Sequence, residues 1–423
     1  MQPDRRRESR NPILNTFLTL KGNQRACLWL EPFFGIPFNL FTPLAAVYMA
    51  ALGLNPFQIG LVTTVSLASQ MVSAPLGGVI TDRLGRRLTT AIFDVFAWLI
   101  APILWATAQG PWSFVIAGML NGLWRVTETS WSLLLVEEAE PDKIIHLYAI
   151  TNIAGLLAGF VSPLTYFFVR GYGLVTTMRW LYAFMALMML AKIVLLYRMS
   201  HESAQGVERM RLSHGTKLSA RLWESRLVLL RMLRDRRIML TIALLTCYAM
   251  IKSVSDNFWP LLVTEKLGLQ EENLSIFSTV KTLVMLLLYF IVVPRLDARQ
   301  FRRPLTIALA VVAGVAMMLF FLQGPAFAAV LFGVALEAMA MATLQPLMST
   351  LNMQAMQGEE RARMLGLGVM LTLMFTAPFG TLAGLLSKLD RSLPMLLTAG
   401  LAGLSIWLAG RLEAQHAWLD TQV

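Results

Sequence analysis

The sequence predicts an all-α membrane protein with twelve transmembrane helices in two pseudo-symmetric six-helix bundles. Of its 423 residues, 56% are hydrophobic and only 14% charged, against about 25% charged in an ordinary soluble domain. That is too little polar sequence to coat a soluble core. The apolar residues fall in runs of about 20, the number a helix needs to cross the hydrocarbon of a bilayer. One long polar interruption, 199–237, divides those runs into two sets of six.

Taken in order, spans are expected near 27–52, 57–80, 88–108, 112–136, 146–169 and 175–197, then near 238–263, 273–294, 304–322, 326–352, 364–387 and 393–411. The chain therefore divides into an N-terminal segment 1–26, a six-helix bundle 27–198, a basic linker 199–237, a second six-helix bundle 238–412 and a tail 413–423. The first 26 residues are basic and polar, and the apolar run after them outlasts a signal-peptide core and carries no small-residue cleavage site. The first span is expected to be retained. In the linker, Leu218, Leu222, Leu229 and Leu233 fall near helical spacing among arginines, the pattern of an amphipathic helix resting on a membrane.

Charge sets the expected orientation. With both termini on one face, that face holds 27 of the Lys and Arg residues and the other face five (Arg170, Arg179, Lys266, Lys388 and Arg391). Positively charged loops stay inside, so both termini are expected in the cytoplasm and the chain in the cytoplasmic membrane. The net charge of +11 sits in short loops beside apolar runs. It suits anionic phospholipid at the cytoplasmic face and not nucleic acid. Cys27 and Cys247 stand apart from metal-ligand residues, and the four histidines (His146, His201, His214 and His416) fall in segments read as cytoplasmic. With no phosphate-cradling loop, metal cluster or nucleophile beside a histidine at membrane depth, neither an enzyme nor a cofactor is expected.

An ionisable residue inside a span is costly and marks a pathway or a pairing. In the fourth span Asn121, Arg125, Glu128 and Ser132 follow i, i+4, i+7, i+11 and share one helix face. Lys252 and Asp256 stand at i,i+4 in the seventh span, close enough to neutralise each other. Lys281 in the eighth and Glu337 in the tenth have no local partner, so they must pair across helices, face water or lose their charge. These residues form the expected solute and proton pathway. Glu31 and Asp94 lie nearer the cytoplasmic ends, where gating or packing roles are expected. Thr63, Ser66, Gln70 and Ser73 give the second span a polar face of the kind that glues helices together.

The two sets of six carry an internal echo. Leu52-Gly53-Leu54-Asn55 matches Leu267-Gly268-Leu269-Gln270 at an offset of 215 residues, which also places Asp82 on Asp297 in the run from Pro294 to Arg303. A repeat of six-helix units around a midplane site is a recurring transporter design.

Between the second and third spans lies Gly77-Gly78-Val79-Ile80-Thr81-Asp82-Arg83-Leu84-Gly85-Arg86-Arg87-Leu88. Glycine at 78 permits close helix packing, and Gly85 suits a turn needing positive φ. The run resembles the loop 2-3 signature of the major facilitator superfamily, G-x-L-A-D-R-x-G-R-R/K, matched at Gly78, Asp82, Arg83, Gly85, Arg86 and Arg87. The resemblance implies a cytoplasmic gate in which Asp82 helps latch that side shut, with Arg86 or Arg87 in reach of Glu137 or Glu138. Arg125-Val126-Thr127-Glu128-Thr129 is similar to the family's fourth-span motif, R-x-x-Q-G, whose arginine is linked to proton coupling; Glu128 replaces the amide and Thr129 the glycine. Gly155-x-x-x-Gly159-x-x-x-Pro163 faintly resembles the antiporter motif. A monomeric secondary transporter working by alternating access is implied, exporting a small organic solute against protons. An importer or exchanger of an organic anion held by Arg125, Lys252 and Lys281 stays open, as does a non-transporting receptor on the same fold.

Overall fold

Backbone groups in hydrocarbon can bond only within their own segment or to a neighbouring segment, which makes helices of apolar runs this long. The computed structural model describes residues 16–140, 143–213, 218–291, 301–356 and 361–420. Ten helical segments among them are long and apolar enough to cross a membrane: Gly22–Ala51, Pro56–Leu84, Arg86–Ala106, Ile150–Tyr172, Leu174–Met199, Arg236–Lys266, Arg302–Phe321, Phe327–Ala355, Met364–Leu389 and Leu393–Glu413. The eighth span is the apolar helix Asn273–Ile291. The fourth is split into Pro111–Asn121 and Trp124–Val136.

The split in the fourth span has a packing cause. Gly122 lies so close to the second span that an added Cβ would meet the Ser69 hydroxyl at 2.7 Å and the Ser66 carbonyl at 2.8 Å. Ser73 Oγ donates to the Gly122 carbonyl at 2.9 Å, and Ser69 Oγ to that of Met119 at 2.6 Å. The serine face of the second span is therefore helix glue, as expected. Just before the break, the Asn121 amide donates to the Ala97 carbonyl of the third span at 3.1 Å.

The internal echo is structural. The first span ends on Gly53 at φ +86° and the seventh on Gly268 at φ +68°. Leu54 N then donates to the Met49 carbonyl and Leu269 N to that of Val263, both at 3.1 Å, closing the carbonyls that each helix end leaves open. The Asn55 side chain caps the next helix by accepting from Gln58 N at 3.0 Å while Gln58 Oε1 accepts from Asn55 N at 2.9 Å. The proposed match of Asp82 to Asp297 lies outside the described residues.

One end of the bundle carries the linker helices Ala204–Ser213 and Leu218–Arg234; the opposite end is called the far side. Val228 and Met232 of the second linker helix are buried with Ile238, Ile242, Met356, Leu367 and Leu371, while Leu227, Leu230 and Leu233 are exposed.

On the far side the second span seals against the eleventh. A Cβ on Gly60 would strike the Gly380 backbone, and one on Gly380 would meet the Gly60 carbonyl at 2.9 Å and Thr64 Oγ1 at 3.0 Å. Thr64 Oγ1 donates to the Ala377 carbonyl at 2.6 Å and accepts from Thr381 N at 3.0 Å, and Thr63 bonds to Asn257 of the seventh span at 3.2 Å. Each of these contacts joins the first six spans to the last six. Far-side turns are tied as well: Lys266 Nζ reaches Asp390 at 2.7 Å and Arg391 pairs with Glu265. The hydrogen bonds from Lys266 and Ser392 pull the Asp390 carboxyl down to about 2.

Gly60→Ala is expected to force the second and eleventh spans apart and to cost about 1–3 kcal/mol, the usual penalty of an overpacked contact. Gly400→Ala, where a Cβ meets nothing within 4 Å, serves as the control. Thermal unfolding in detergent checks this, with equal melting temperatures for both variants refuting the seal.

Candidate functional site

The centre of the molecule holds a cavity of about 230 Å³ between the two sets of six spans. At roughly 30 Å³ per water it has room for about eight waters, the size of a small metabolite. Thr42 and Pro43 reach it from a short tight turn inside the first span, and the seventh, eighth and tenth spans supply the remaining walls. Proline inside an apolar helix removes a backbone donor and opens space beside it. Pro43 and Pro260 both line the cavity.

Four charged groups project into this space. Lys252 Nζ donates to Asp256 Oδ2 at 2.9 Å, the one-turn pairing read from sequence. Lys281 Nζ and Ser255 Oγ both donate to Glu337 Oε1, at 3.2 and 2.9 Å. The two residues left without local partners thus find each other across the eighth and tenth spans. The pairs differ in exposure: the side chains of Lys252 and Asp256 are 59% and 47% exposed, that of Glu337 only 11%. Trp259 and Phe277 meet edge to face at 5.8 Å on the same wall, and Tyr248 and Gln345 add uncharged polar groups.

Arg125 and Glu128 form a separate site in the fourth span, outside this cavity's lining. Arg125 Nη1 donates to Glu128 at 2.8 Å, its Nε donates to Gln70 Oε1 at 3.1 Å, and its guanidinium lies 4.1 Å over the Trp124 ring. Glu128 is 48% exposed.

A buried cation that sequence reasoning passed over is Lys192 in the sixth span. Its ammonium bonds to Glu31 at 3.2 Å, lies 5.2 Å over the Phe34 ring and acts on the buried Asp94. Glu31 has no cation at helical spacing, and one lysine alone in an apolar helix is the available signal for its partner.

The loop between the second and third spans folds around Arg86, which is 3% exposed. Its Nε and Nη2 donate to Glu137 Oε1 at 3.0 and 2.8 Å, and Asp82 Oδ1 lies 3.5 Å away. Gly85 takes φ +84°, leaving the next two amides unpaired by the helix. Glu202 of the linker accepts from both, Arg86 N at 2.8 Å and Arg87 N at 3.1 Å, as a carboxylate does at a helix N-terminus. Ser203 Oγ bonds to Glu137, Ser213 Oγ to the Asp82 carbonyl at 2.9 Å. Arg87 stacks on Tyr197 at 3.9 Å. Of the two acids expected to meet this loop, Glu137 does, while Glu138 bonds to His201 at 3.0 Å. Glycine at 78 faces open space, and Arg83, at the end of the second span, is exposed, whereas Arg87 is half-buried. Glu202 and Ser203 carry no motif that would have singled them out.

Comparison with known proteins places this geometry in a family. The model of the Major Facilitator Superfamily matches residues 33–381, and the chain belongs to that family. A solved structure of the nucleoside transporter NupG, in a single-substitution mutant form, superposes with a TM-score of 0.74 at 14% identity, covering 92% of this chain and 99% of that one. A D-xylose-proton symporter gives 0.64 at 18% identity, covering 93% and 96%. Likeness at this identity carries the fold alone, two six-helix bundles across a membrane. Inositol transporter 4 of Arabidopsis thaliana is 33% identical over 96 residues, 23% of this chain and 16% of that protein. The Bacillus subtilis (strain 168) protein "Uncharacterized MFS-type transporter YqjV" is 28% identical over 132 residues, 30% of this chain and 32% of its own. The matches thus span a third or less of those relatives' length.

Glu202→Ala should release the linker from the loop. Losing two hydrogen bonds to a charged acceptor costs about 1.5–3 kcal/mol, or roughly tenfold or more in the population of the detached segment. Limited trypsinolysis at Arg209 and Arg211 measures that population, and an unchanged cleavage rate would remove Glu202 from the clasp.

Proposed function

We propose that this chain is a secondary active transporter that carries a small organic solute across the cytoplasmic membrane by alternating access, with protons as the coupling ion and export as its direction. The observation that carries the reading is the cavity between the two halves, with two cations held beside two carboxylates at mid-span. A group this costly to place in a membrane is retained where it serves a pathway. The far side is closed by the contact of the second and eleventh spans, while Lys252 and Asp256 are half exposed. Water must reach them from the linker side.

In this proposal the bundles 27–198 and 238–412 rock about the cavity, and the linker 199–237 faces the cytoplasm with both termini, its exposed leucines and arginines resting on anionic phospholipid. The protein works as a monomer. The loop residues Gly78, Asp82, Arg83, Gly85, Arg86 and Arg87, with Glu137, shape the cytoplasmic gate. Glu128 carries the proton and Arg125 sets its affinity, since a guanidinium keeps its own proton at any physiological pH. Lys252, Asp256, Lys281 and Glu337 meet the solute, and Asn121 belongs with Arg125 and Glu128 to the pathway in the fourth span.

An inward proton symport is the second reading. It takes its chemistry from the name of one fold neighbour, a D-xylose-proton symporter. An anion exchanger is less favoured, because Arg125, Lys252 and Lys281 each already face a carboxylate.

Proteoliposomes oriented with the linker inside and made acidic outside separate these readings. Export by antiport predicts accelerated loss of preloaded solute, and symport predicts accelerated uptake. Glu128→Gln is expected to bind solute normally and to lose at least tenfold of the gradient-driven flux. Retention of gradient-driven flux in that variant would move the proton to another carboxylate, with Glu337 and Asp256 next in line.

A further inference from the structure

The charge arrangement of the central cavity constrains what it can hold, and this constraint rests on the transporter reading above. Lys252, Asp256, Lys281 and Glu337 contribute two positive and two negative charges to one space of about 230 Å³. The four line this one space as two pairs, Lys252 on Asp256 at 2.9 Å and Lys281 on Glu337 at 3.2 Å. An ion of one sign entering this space would leave an uncompensated charge away from bulk water, the costly outcome for any buried pair. A neutral polyol would displace water from the two exposed charges without replacing the charge of that hydration. A solute carrying both signs does neither. Its carboxylate can take a lysine while its ammonium takes the neighbouring acid, and the total stays zero throughout.

The geometry points to a zwitterion of amino-acid size as the solute. Lys252 and Asp256, the more exposed pair, present ammonium and carboxylate one helical turn apart, the spacing at which a solute bearing both groups bonds to each. Glu337, held by Lys281 and Ser255, is the deeper anchor for the solute's ammonium. Trp259, Phe277 and Tyr248 offer aromatic surface to an apolar body, and the cation of the solute gains further from their faces.

The test is equilibrium binding to the purified full-length protein with a matched set: L-phenylalanine and L-leucine as zwitterions, phenethylammonium as the cation, 3-phenylpropionate as the anion, and myo-inositol and uridine as neutral solutes. At least one zwitterion should bind ten times more tightly than either single-charge analogue. Removing one sign should invert the preference. Asp256→Asn leaves an excess positive charge and should bind 3-phenylpropionate better than wild type, and Lys252→Gln should do the same for phenethylammonium. Both side chains are half exposed, so the variants are expected to fold, and a residue that merely held helices together would not move selectivity in opposite directions. Binding of myo-inositol or uridine with no zwitterion bound overturns the inference and leaves the transporter reading standing. Absence of binding and of proteoliposome flux for every solute overturns both.

Discussion

An ion in hydrocarbon must be neutralised, and that rule organises this molecule more than any apolar contact does. Among the described residues, four cations well inside the spans each have a carboxylate within 3.2 Å: Arg125 with Glu128, Lys192 with Glu31, Lys252 with Asp256 and Lys281 with Glu337. The pairs differ in exposure. Lys192 and Glu31 are almost fully enclosed and tie the sixth span to the first. Lys252, Asp256 and Glu128 keep about half of their side-chain surface open.

The same rule connects the halves to the linker. Arg86 is buried at the end of the third span because Glu137, Asp82 and the linker together supply its counter-charge. Residues after the sixth span therefore brace the loop between the second and third, and the second linker helix buries Val228 and Met232 against the seventh and eleventh spans. The linker touches both halves at the end opposite the glycine contact.

How much of this was legible in the sequence depended on whether the partners were neighbours in the chain. Arg125–Glu128 and Lys252–Asp256 are one turn apart, so helical spacing alone placed them. Lys281 and Glu337 are 56 residues apart; their need for a cross-helix partner was readable, its identity was not. Lys192 escaped notice in an apolar helix whose charge balance can be closed only by two other helices. Glu202 acts through backbone amides that a glycine turn leaves open, a contact with no periodicity. The break in the fourth span was not legible, because it follows from Gly122 packing on Ser66 and Ser69 of another helix. The repeat at Gly53 and Gly268 was legible because a positive-φ helix ending demands the same residue type in both halves.

The central claim is that the charges in the cavity are held there by each other. A thermal double-mutant cycle on Lys281 and Glu337 addresses it most directly, because coupling within a pair appears as non-additivity. Glu337→Gln and Lys281→Met should each lower the melting temperature by stranding the remaining charge, while the double variant, with no charge left to strand, should recover most of the loss. Equal and additive losses, with the double variant the least stable of the three, would contradict the claim.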